Sequence, residues 1–180
     1  MDYFRLSQDL SFIHTVKINR AFIPENWKRE IAKGRSVEFE YGKLSSEPHN
    51  FLVENQKENM YPDLIEAPLP LLSNRLKKVF SSFEKHIQCS CAILTDPVLR
   101  TQEIYWLFAL ERLECLGDET EFYPNSTLKK LVLNRRCIGE HSVFRIHGIR
   151  EKQIVIRFDV AESILRRPMV GIKLERVDCQ

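Results

Sequence analysis

Two cysteines separated by one residue, Cys89 and Cys91, are the first side chains in this sequence whose type and spacing could support chemistry. His86 lies three residues before Cys89, and zinc binds both thiolate sulfur and imidazole nitrogen. Structural zinc sites pair such a motif with a second pair of ligands, however, and the neighbouring sequence offers none. We therefore interpret both cysteines as core thiols and expect the protein to use no metal or other cofactor.

A cysteine-dependent enzyme is the catalytic alternative, because a nucleophilic thiol and its histidine need to meet only in space. The sequence has five cysteines and five histidines, and Cys115, Cys137 and Cys179 are isolated in it. It contains no G-x-S-x-G, Walker A or H-E-x-x-H motif. Glu38 and Glu40 are two residues apart, so on a strand their carboxylates would lie on the same face. We interpret that face as a solvated surface and not as a catalytic pair. A small thiol-dependent hydrolase or transferase remains the second hypothesis.

A different kind of signal comes from the segment 118–126, where acidic residues lead into aromatic ones. Large rings in a loop either fold back onto the core or form a contact surface for another protein, and both alternatives remain open here. Tyrosine and phenylalanine are favoured in protein interfaces, and acids beside them could meet a basic partner. The predicted partner-binding residues are Asp118, Glu119, Glu121, Phe122 and Tyr123.

The elements that must position these residues are clearest at the end of the chain, in residues 152–178. Residues 154, 156 and 158 are apolar at a period of two, which predicts a strand. Asp159 and Glu162 then have the spacing of a capping box, and Pro168 ends the short helix that they would begin. Alternation at residues 170, 172 and 174 predicts a closing strand.

A less regular copy of this strand–helix–strand order lies earlier in the sequence. Leucines at residues 69–72 lead to Ser73, which has the character of a helix N-cap, and residues 74–85 then follow a helical pattern. An alternating segment through Cys89 and Cys91 predicts a strand. Residues 104–116 fit either a helix or a strand, and their Tyr, Trp and Phe content favours a strand.

The first part of the chain predicts strand-like segments at residues 3–6 and 12–23, a short helix from Pro24 to about Gly34, and a strand at 36–41. Residues 43–63 are polar, apart from a possible short strand at 51–53. This polar stretch predicts a boundary between an N-terminal lobe, residues 1–60, and a second domain, residues 61–180.

Composition restricts the function classes. The 180 residues carry a net charge of only +2, with 27 basic and 25 acidic side chains. This balance argues against a dedicated nucleic-acid binder, which would cluster Lys and Arg, and against an acidic mimic of nucleic acid. The sequence has neither an apolar run of membrane-span length nor a signal-peptide pattern, so we expect a cytoplasmic protein with reduced cysteines and no membrane contact.

Several of these pieces together resemble a known family. Pro62-Asp63-Leu64 precedes the run Leu71-Leu72-Ser73-Asn74-Arg75-Leu76, and the later strands include Tyr105-Trp106-Leu107, Leu131-Val132-Leu133 and Val143-Phe144-Arg145-Ile146. With the final strand–helix–strand, this order resembles the bacterial immunity proteins of polymorphic toxin systems, specifically the family numbered eleven, long a domain of unknown function. Another immunity family with similar elements is also compatible. The familiar form has a valine, often with an acid, before the serine, where this chain has Leu71-Leu72.

The resemblance covers mainly residues 62–178 and implies binding without catalysis. A protein of this kind neutralises a cognate toxin domain by occluding it in the cytoplasm, and Ser73, Arg75 and Phe144 would cap or pack structural elements. The expected fold class is α+β, a mixed and largely antiparallel sheet with two or three short helices packed on one face.

Overall fold

The computed structural model describes residues 1–34, 36–56, 58–85 and 87–180. Within them the chain forms four α-helices: α1 Glu25–Ala32, α2 Asn74–Phe83, α3 Arg135–Ile138 and α4 Phe158–Leu165. The described strands are β1 Tyr3–Gln8, β2 His49–Leu52, β3 Leu64–Ile65, β4 Leu71–Ser73, β5 Gln88–Asp96, β6 Thr101–Ala109, β7 Arg112–Leu113, β8 Glu121–Phe122, β9 Leu128–Lys130, β10 Val132–Leu133, β11 Val143–Ile146, β12 Ile154–Arg157 and β13 Ile172–Cys179. A 3-10 turn lies at Arg20–Phe22.

Six strands form one sheet in the order β10-β13-β1-β12-β11-β7. Its interior pairs are antiparallel, and the short pairs at the two edges, β10 with β13 and β7 with β11, are parallel. The chain after β7 returns to β10, where the Gly117 amide donates to the Val132 carbonyl at 2.7 Å and the Asn134 amide to the Cys115 carbonyl at 2.8 Å. These bonds satisfy backbone groups along β10, an edge strand that would otherwise be open to another strand.

Five strands form the second sheet in the order β2-β5-β6-β4-β3. Its centre is the long antiparallel hairpin of β5 and β6, and β2 joins β5 in parallel. The strand prediction for the ambiguous segment 104–116 is therefore confirmed, because β6 runs through Ala109 and β7 follows after a short break. The remaining pair, β8 with β9, is a separate two-stranded hairpin.

Helices α2 and α4 pack against each other between the two large sheets. Their buried faces, which include Phe80 and Ile164, share one apolar core with Leu6 and Ile156 of the first sheet and Phe108 of the second. A second core lies under residues 16–53 on the other face of the five-stranded sheet, and a third lies between the six-stranded sheet and residues 113–138. The fold is α+β with mixed, mostly antiparallel sheets, as predicted, although the strands divide into two large sheets instead of one.

Three local predictions are wrong. Residues 36–41 alternate, with Val37 buried, but they form no strand because the Val37 amide bonds a single carbonyl, that of Pro68, rather than a ladder. Residues 12–23 form isolated bridges and a 3-10 turn, not a strand. Asp159 and Glu162 form no capping box, because β12 runs directly into α4 and Arg157 becomes the N-cap.

The predicted boundary near residue 60 stays a prediction. The structure shows that β1, from the proposed N-terminal lobe, is hydrogen-bonded on both sides by strands from the end of the chain, β12 and β13. The longest described helix, α2, has ten residues, and none of the described helices combines the length and hydropathy of a membrane span.

Candidate functional site

The predicted contact segment 118–126 forms the β8–β9 hairpin and the turn before it. The Thr120 hydroxyl donates to the Val132 carbonyl at 2.8 Å and accepts from the Val132 amide at 3.2 Å, which fixes the base of the hairpin. At the tip, Asn125 accepts hydrogen bonds from both the amide and the hydroxyl of Thr127. The hairpin is thus held in one conformation by bonds at both ends.

Both predicted aromatic residues are exposed. The exposed fraction is 42% for Phe122 and 51% for Tyr123, so neither ring folds back into the core. Of the two alternatives left open by the sequence, the buried one is excluded by this placement. Two exposed rings on a fixed hairpin form the kind of aromatic surface that proteins use as interface anchors.

The three predicted acids are also exposed, but two of them are paired within the hairpin. Glu121 accepts from Lys129 at 2.6 Å, and Glu119 lies 3.5 Å from the ammonium of Lys130. The hydrogen bond from Lys129 lowers the pKa of Glu121. Asp118 lies in the turn before β8. The hairpin is therefore a mixed-charge surface, less acidic than the sequence of segment 118–126 alone predicts.

Beside the hairpin lies a cleft with a volume of about 870 Å³, which we call the β1 cleft. Four parts of the chain line this cleft: the end of β1 with the residues that directly follow it, residues 66 and 67, the segment 150–153, and the start of β13. The hairpin is anchored to this wall, because Arg150 donates to the Asn125 carbonyl and Glu151 accepts from the Leu128 amide, both at 2.8 Å. Hairpin and cleft therefore share residues 150 and 151.

Glu66 is a partly buried acid in the lining of the β1 cleft. Its Oε2 accepts from the Gln8 amide at 2.9 Å, and the Gln8 side chain accepts from the Glu66 amide at 3.0 Å. Burial raises the pKa of Glu66, against the opposing effects of the Gln8 hydrogen bond and of the positive charges of Arg145 and Arg5. Keeping this side chain ionised at neutral pH therefore costs folding free energy.

A second charged cluster was missed at the sequence level. Glu38, interpreted as part of a solvated face, accepts from Arg112 at 2.5 Å and from Arg145 at 2.7 Å, and Lys152 lies 3.7 Å away. Burial alone would raise the pKa of Glu38, but these cations outweigh it and hold that pKa below its usual value. Arg145 is only 6% exposed, so this cluster ties the irregular segment 36–41 to β7 and β11.

The cysteines are distributed differently from the sequence interpretation. Cys89 lies on β5 as predicted, and burial raises the pKa of its thiol to about 11. Cys115, Cys137 and Cys179, isolated in the sequence, come together around β10: Cys179 pairs with Leu133, and the Cys115 carbonyl bonds Asn134, three residues before Cys137. The pKa of Cys115 is raised to about 11, mainly by burial and in smaller part by its neighbours Cys137 and Cys179.

The residues that carry the family resemblance form a structural network instead of an open site. Ser73 caps α2 by accepting from the Leu76 amide at 3.1 Å, and its hydroxyl donates to the fully buried Asp63. Arg75 donates to both Asp63 oxygens, and the Val170 amide donates to Asp63 at 2.8 Å. This network joins the start of α2 to the chain entering β13. Phe144 is fully buried, as its predicted packing role requires.

In the part of the chain that the structure describes, no three His, Cys, Asp or Glu side chains are grouped so as to hold a metal ion. His86, the third member of the possible zinc set, lies outside the described residues. Comparisons with protein-family models, with curated proteins and with solved structures find no match for this chain.

Proposed function

We propose that this protein is a cytoplasmic immunity protein that binds a cognate toxin domain of a polymorphic toxin system and neutralises it by occlusion. The observation that carries the proposal is the exposure of Phe122 and Tyr123 on a hairpin fixed at its base and tip. Aromatic side chains have few rotatable bonds and therefore lose little conformational entropy on binding, and such anchors commonly dominate the binding energy of an interface.

The resemblance in residues 62–178 supplies the identity of the partner. Its most specific stretch, Asp63 with Ser73 and Arg75, has a structural task that is compatible with a scaffold for recognition loops. The mixed charges of the hairpin and of the adjoining β1 cleft fit a polar protein partner.

Two of the five thiols, those of Cys89 and Cys115, argue against cysteine catalysis. A nucleophilic cysteine needs a substantial thiolate population near neutral pH, which a lowered pKa provides. The pKa of Cys89 and that of Cys115 are instead raised to about 11 by burial. We expect replacement of Cys89 and Cys91 by serine to lower the melting temperature and to leave protection of cells against the toxin intact. Loss of protection by a folded Cys89→Ser variant would favour the enzyme hypothesis.

The direct test uses the C-terminal domain of any large secreted protein encoded immediately upstream. We expect this domain and the present chain to co-elute as a stoichiometric complex in size-exclusion chromatography, and co-expression to prevent growth inhibition by the domain. An unrelated toxin domain serves as the specificity control. Growth inhibition that continues despite full co-expression, with no complex formed, would refute the proposal.

A further inference from the structure

One side of strand β13 is paired over only part of its length. On its inner side β1 pairs with it from Ile172 to Val177, whereas on its outer side β10 pairs with it only at Asp178 and Cys179. None of residues 172–176 is buried, and no other hydrogen bond within the described part of the chain reaches their backbone groups. This open edge in the six-stranded sheet is a template on which another strand can pair.

The pairing with β1 determines which backbone groups point outwards from this edge. The Asp9 amide donates to the Gly171 carbonyl at 3.0 Å, so these two residues form a hydrogen-bonded pair. Such pairs alternate along an antiparallel ladder, and the odd-numbered residues of β13 therefore direct their amides and carbonyls towards β1. The even-numbered residues direct theirs outwards. The paired end of β13 agrees, because there the Gln180 amide donates to the Leu133 carbonyl on the outer side at 2.9 Å.

The side chains of the open edge are complementary to themselves. Lys173 and Glu175 lie on either side of Leu174 in the sequence. When two antiparallel copies of β13 pair about Leu174, each Lys173 lies opposite Glu175 of the other copy, and the two Leu174 side chains lie opposite each other. Opposite charges and apolar side chains are favourable cross-strand pairs. Within one copy Lys173 already contacts Glu175 at 2.7 Å, so these charges can exchange partners when two copies meet.

The same edge disfavours the other symmetric registers. A register that sets even-numbered residues opposite odd-numbered ones cannot form a ladder, because only the even-numbered residues direct their amides outwards. Centring the pair on any of the three charged residues would place that charge opposite itself, which is destabilising. Centring it on Ile172 would need a strand that continues before Gly171, whose φ of +66° turns the chain away. Only the register about Leu174 satisfies both the backbone and the charges.

We propose that two copies of this chain associate through residues 172–176 of β13, antiparallel about Leu174, and join their six-stranded sheets into one continuous sheet. Each Leu174 forms a hydrogen-bonded pair with Leu174 of the other copy, and each Ile172 with Arg176 of the other copy. All outward amides and carbonyls of residues 172–176 thereby gain partners. The contact is isologous, the commonest kind in symmetric dimers, and it does not depend on the identity of the toxin.

The chain leaves the open edge on opposite faces at its two ends, which makes room for the second copy. Before β13, the Val170 amide bonds Asp63, on the face that helices α2 and α4 cover. Leu131, which directly precedes β10, instead packs against the core on the other face of the six-stranded sheet. In the paired arrangement the Leu131 segment of one copy approaches Gly171 of the other, and the two segments diverge from the plane of the sheet.

The first experiment measures the mass of the protein by sedimentation velocity between about 1 µM and about 1 mM. We expect a reversible, concentration-dependent change from the 21.3 kDa of one chain to twice that mass. A protein that keeps the mass of one chain at the highest concentration would overturn the inference.

Amide hydrogen exchange followed by NMR locates the contact. The Glu175 amide is bonded to β1 in one copy and in two, whereas the Leu174 amide gains its acceptor only in the dimer. We expect exchange at Leu174 to slow at least about tenfold between a dilute and a concentrated sample, and exchange at Glu175 to stay unchanged. A dimer in which exchange at Leu174 is independent of concentration uses another surface and contradicts the proposal.

Two charge reversals test the register. Lys173→Glu places glutamates opposite each other in the dimer, Glu175→Lys places lysines opposite each other, and each variant alone should dimerise at least about tenfold more weakly. An equimolar mixture of the two variants restores both opposite-charge pairs and should recover the dimer. Lys17→Glu, which reverses an exposed lysine outside β13, is the matched control and should dimerise as the wild type does. Failure of the mixture to recover would refute this register.

The occupant of the edge is distinguished from the proposed function by the same exchange measurement. If the chain stays monomeric and the upstream-encoded toxin domain itself slows exchange at Leu174, the edge binds the toxin, so the dimer inference fails and the immunity function stands. If the dimer forms as described and no toxin domain binds, the dimer inference stands and the immunity function fails.

Discussion

Asp63 and Glu151 each hold a carboxylate oxygen away from solvent, yet the chain surrounds them in opposite ways. Asp63 accepts from Ser73, twice from Arg75 and from the Val170 amide, so both of its oxygens are fully used. Glu151 has a donor on one oxygen, and its other oxygen has none among the described residues. The first carboxylate holds elements of this chain together. The second leaves one buried acceptor without a donor, which costs stability instead of adding to it.

The largest effect should follow from breaking the satisfied cluster. Asp63→Ala leaves the Ser73 hydroxyl, the Arg75 guanidinium and the Val170 amide without their acceptor. The Arg75 side chain is half exposed and stays solvated, so the cost comes mainly from the Ser73 hydroxyl and the Val170 amide. Leaving a buried donor without its acceptor typically costs about 1–3 kcal/mol, and we expect a loss of at least this size in the free energy of unfolding measured by urea denaturation. Ser82→Ala, an exposed change in the same helix, should shift it by less than about 0.5 kcal/mol.

Toxin affinity provides the contrast in the same variant. Measured on the folded fraction, it should be unchanged, because Asp63 is buried at the junction of α2 and the chain entering β13. A stable Asp63→Ala protein that fails to bind the toxin domain would show that the satisfied network is itself a recognition element.

The exposed aromatic residues should show the reverse pattern, with a large effect on binding and little on stability. Phe122→Ala and Tyr123→Ala each remove an exposed ring, and an interface anchor of this type carries about 2 kcal/mol or more, equivalent to roughly 30-fold faster dissociation. Surface-binding kinetics with the toxin domain measure this change. Phe22→Ala is a matched control, because Phe22 is 54% exposed and belongs to the 3-10 turn before α1, outside the hairpin. A fall in melting temperature without faster dissociation would make the hairpin structural.

Sequence pattern predicted the parts of this contrast that depend on local geometry. Ser73 was identified as an N-cap because the N-cap bond involves residues only three apart. The strand β5 also follows from local alternation, whereas the sequence left open whether the rings of Phe122 and Tyr123 are exposed or buried. The β1 cleft could not be predicted, because β1, Glu66, residues 150–153 and β13 meet only through the topology of the sheet.

The wrong local predictions share one cause, because in each of them the surrounding structure overrides a local sequence pattern. Residues 36–41 have a strand pattern, but they do not pair with any of the described strands. Glu38 instead accepts hydrogen bonds from Arg112 and Arg145, which belong to strands distant in the sequence. Asp159 has capping-box spacing, but the direct passage from β12 into α4 moves the helix start to Phe158. In the first case contacts with distant strands override the local pattern, and in the second case the strand directly before the helix does so. A signal for the cleft would have been the polar residues alternating before β12, Glu151 and Gln153.

A smaller effect is expected from the charges of the hairpin. Glu119→Lys with Glu121→Lys reverses two exposed acids whose fields are already reduced by Lys130 and Lys129. We expect association with a basic toxin surface to slow by roughly threefold at low salt, with little change in dissociation, because rim charges act mainly on encounter rates. The difference should disappear near physiological salt, where the screening length is about 8 Å. Faster association of the reversed variant would indicate an acidic partner surface instead.

The smallest effect tests whether the cleft keeps its acids at a cost to folding. Burial raises the pKa of Glu66, so this residue stabilises the fold fully only below its unfolded-state pKa, and that contribution is lost as pH rises through the folded-state pKa.

Glu66→Gln removes the ionisation and retains an oxygen for the Gln8 amide. We therefore expect the variant to be more stable than the wild type at pH 7, by no more than about 1 kcal/mol, and the difference to vanish below about pH 4. Urea denaturation at several pH values measures this dependence, with Glu140→Gln as the control for loss of one negative charge. If Glu66→Gln is more stable at pH 7 but binds the toxin domain more weakly, the carboxylate is retained for binding at the expense of stability. If it is less stable by the same amount at every pH, Glu66 belongs with Asp63, as a group whose bonds hold the fold together.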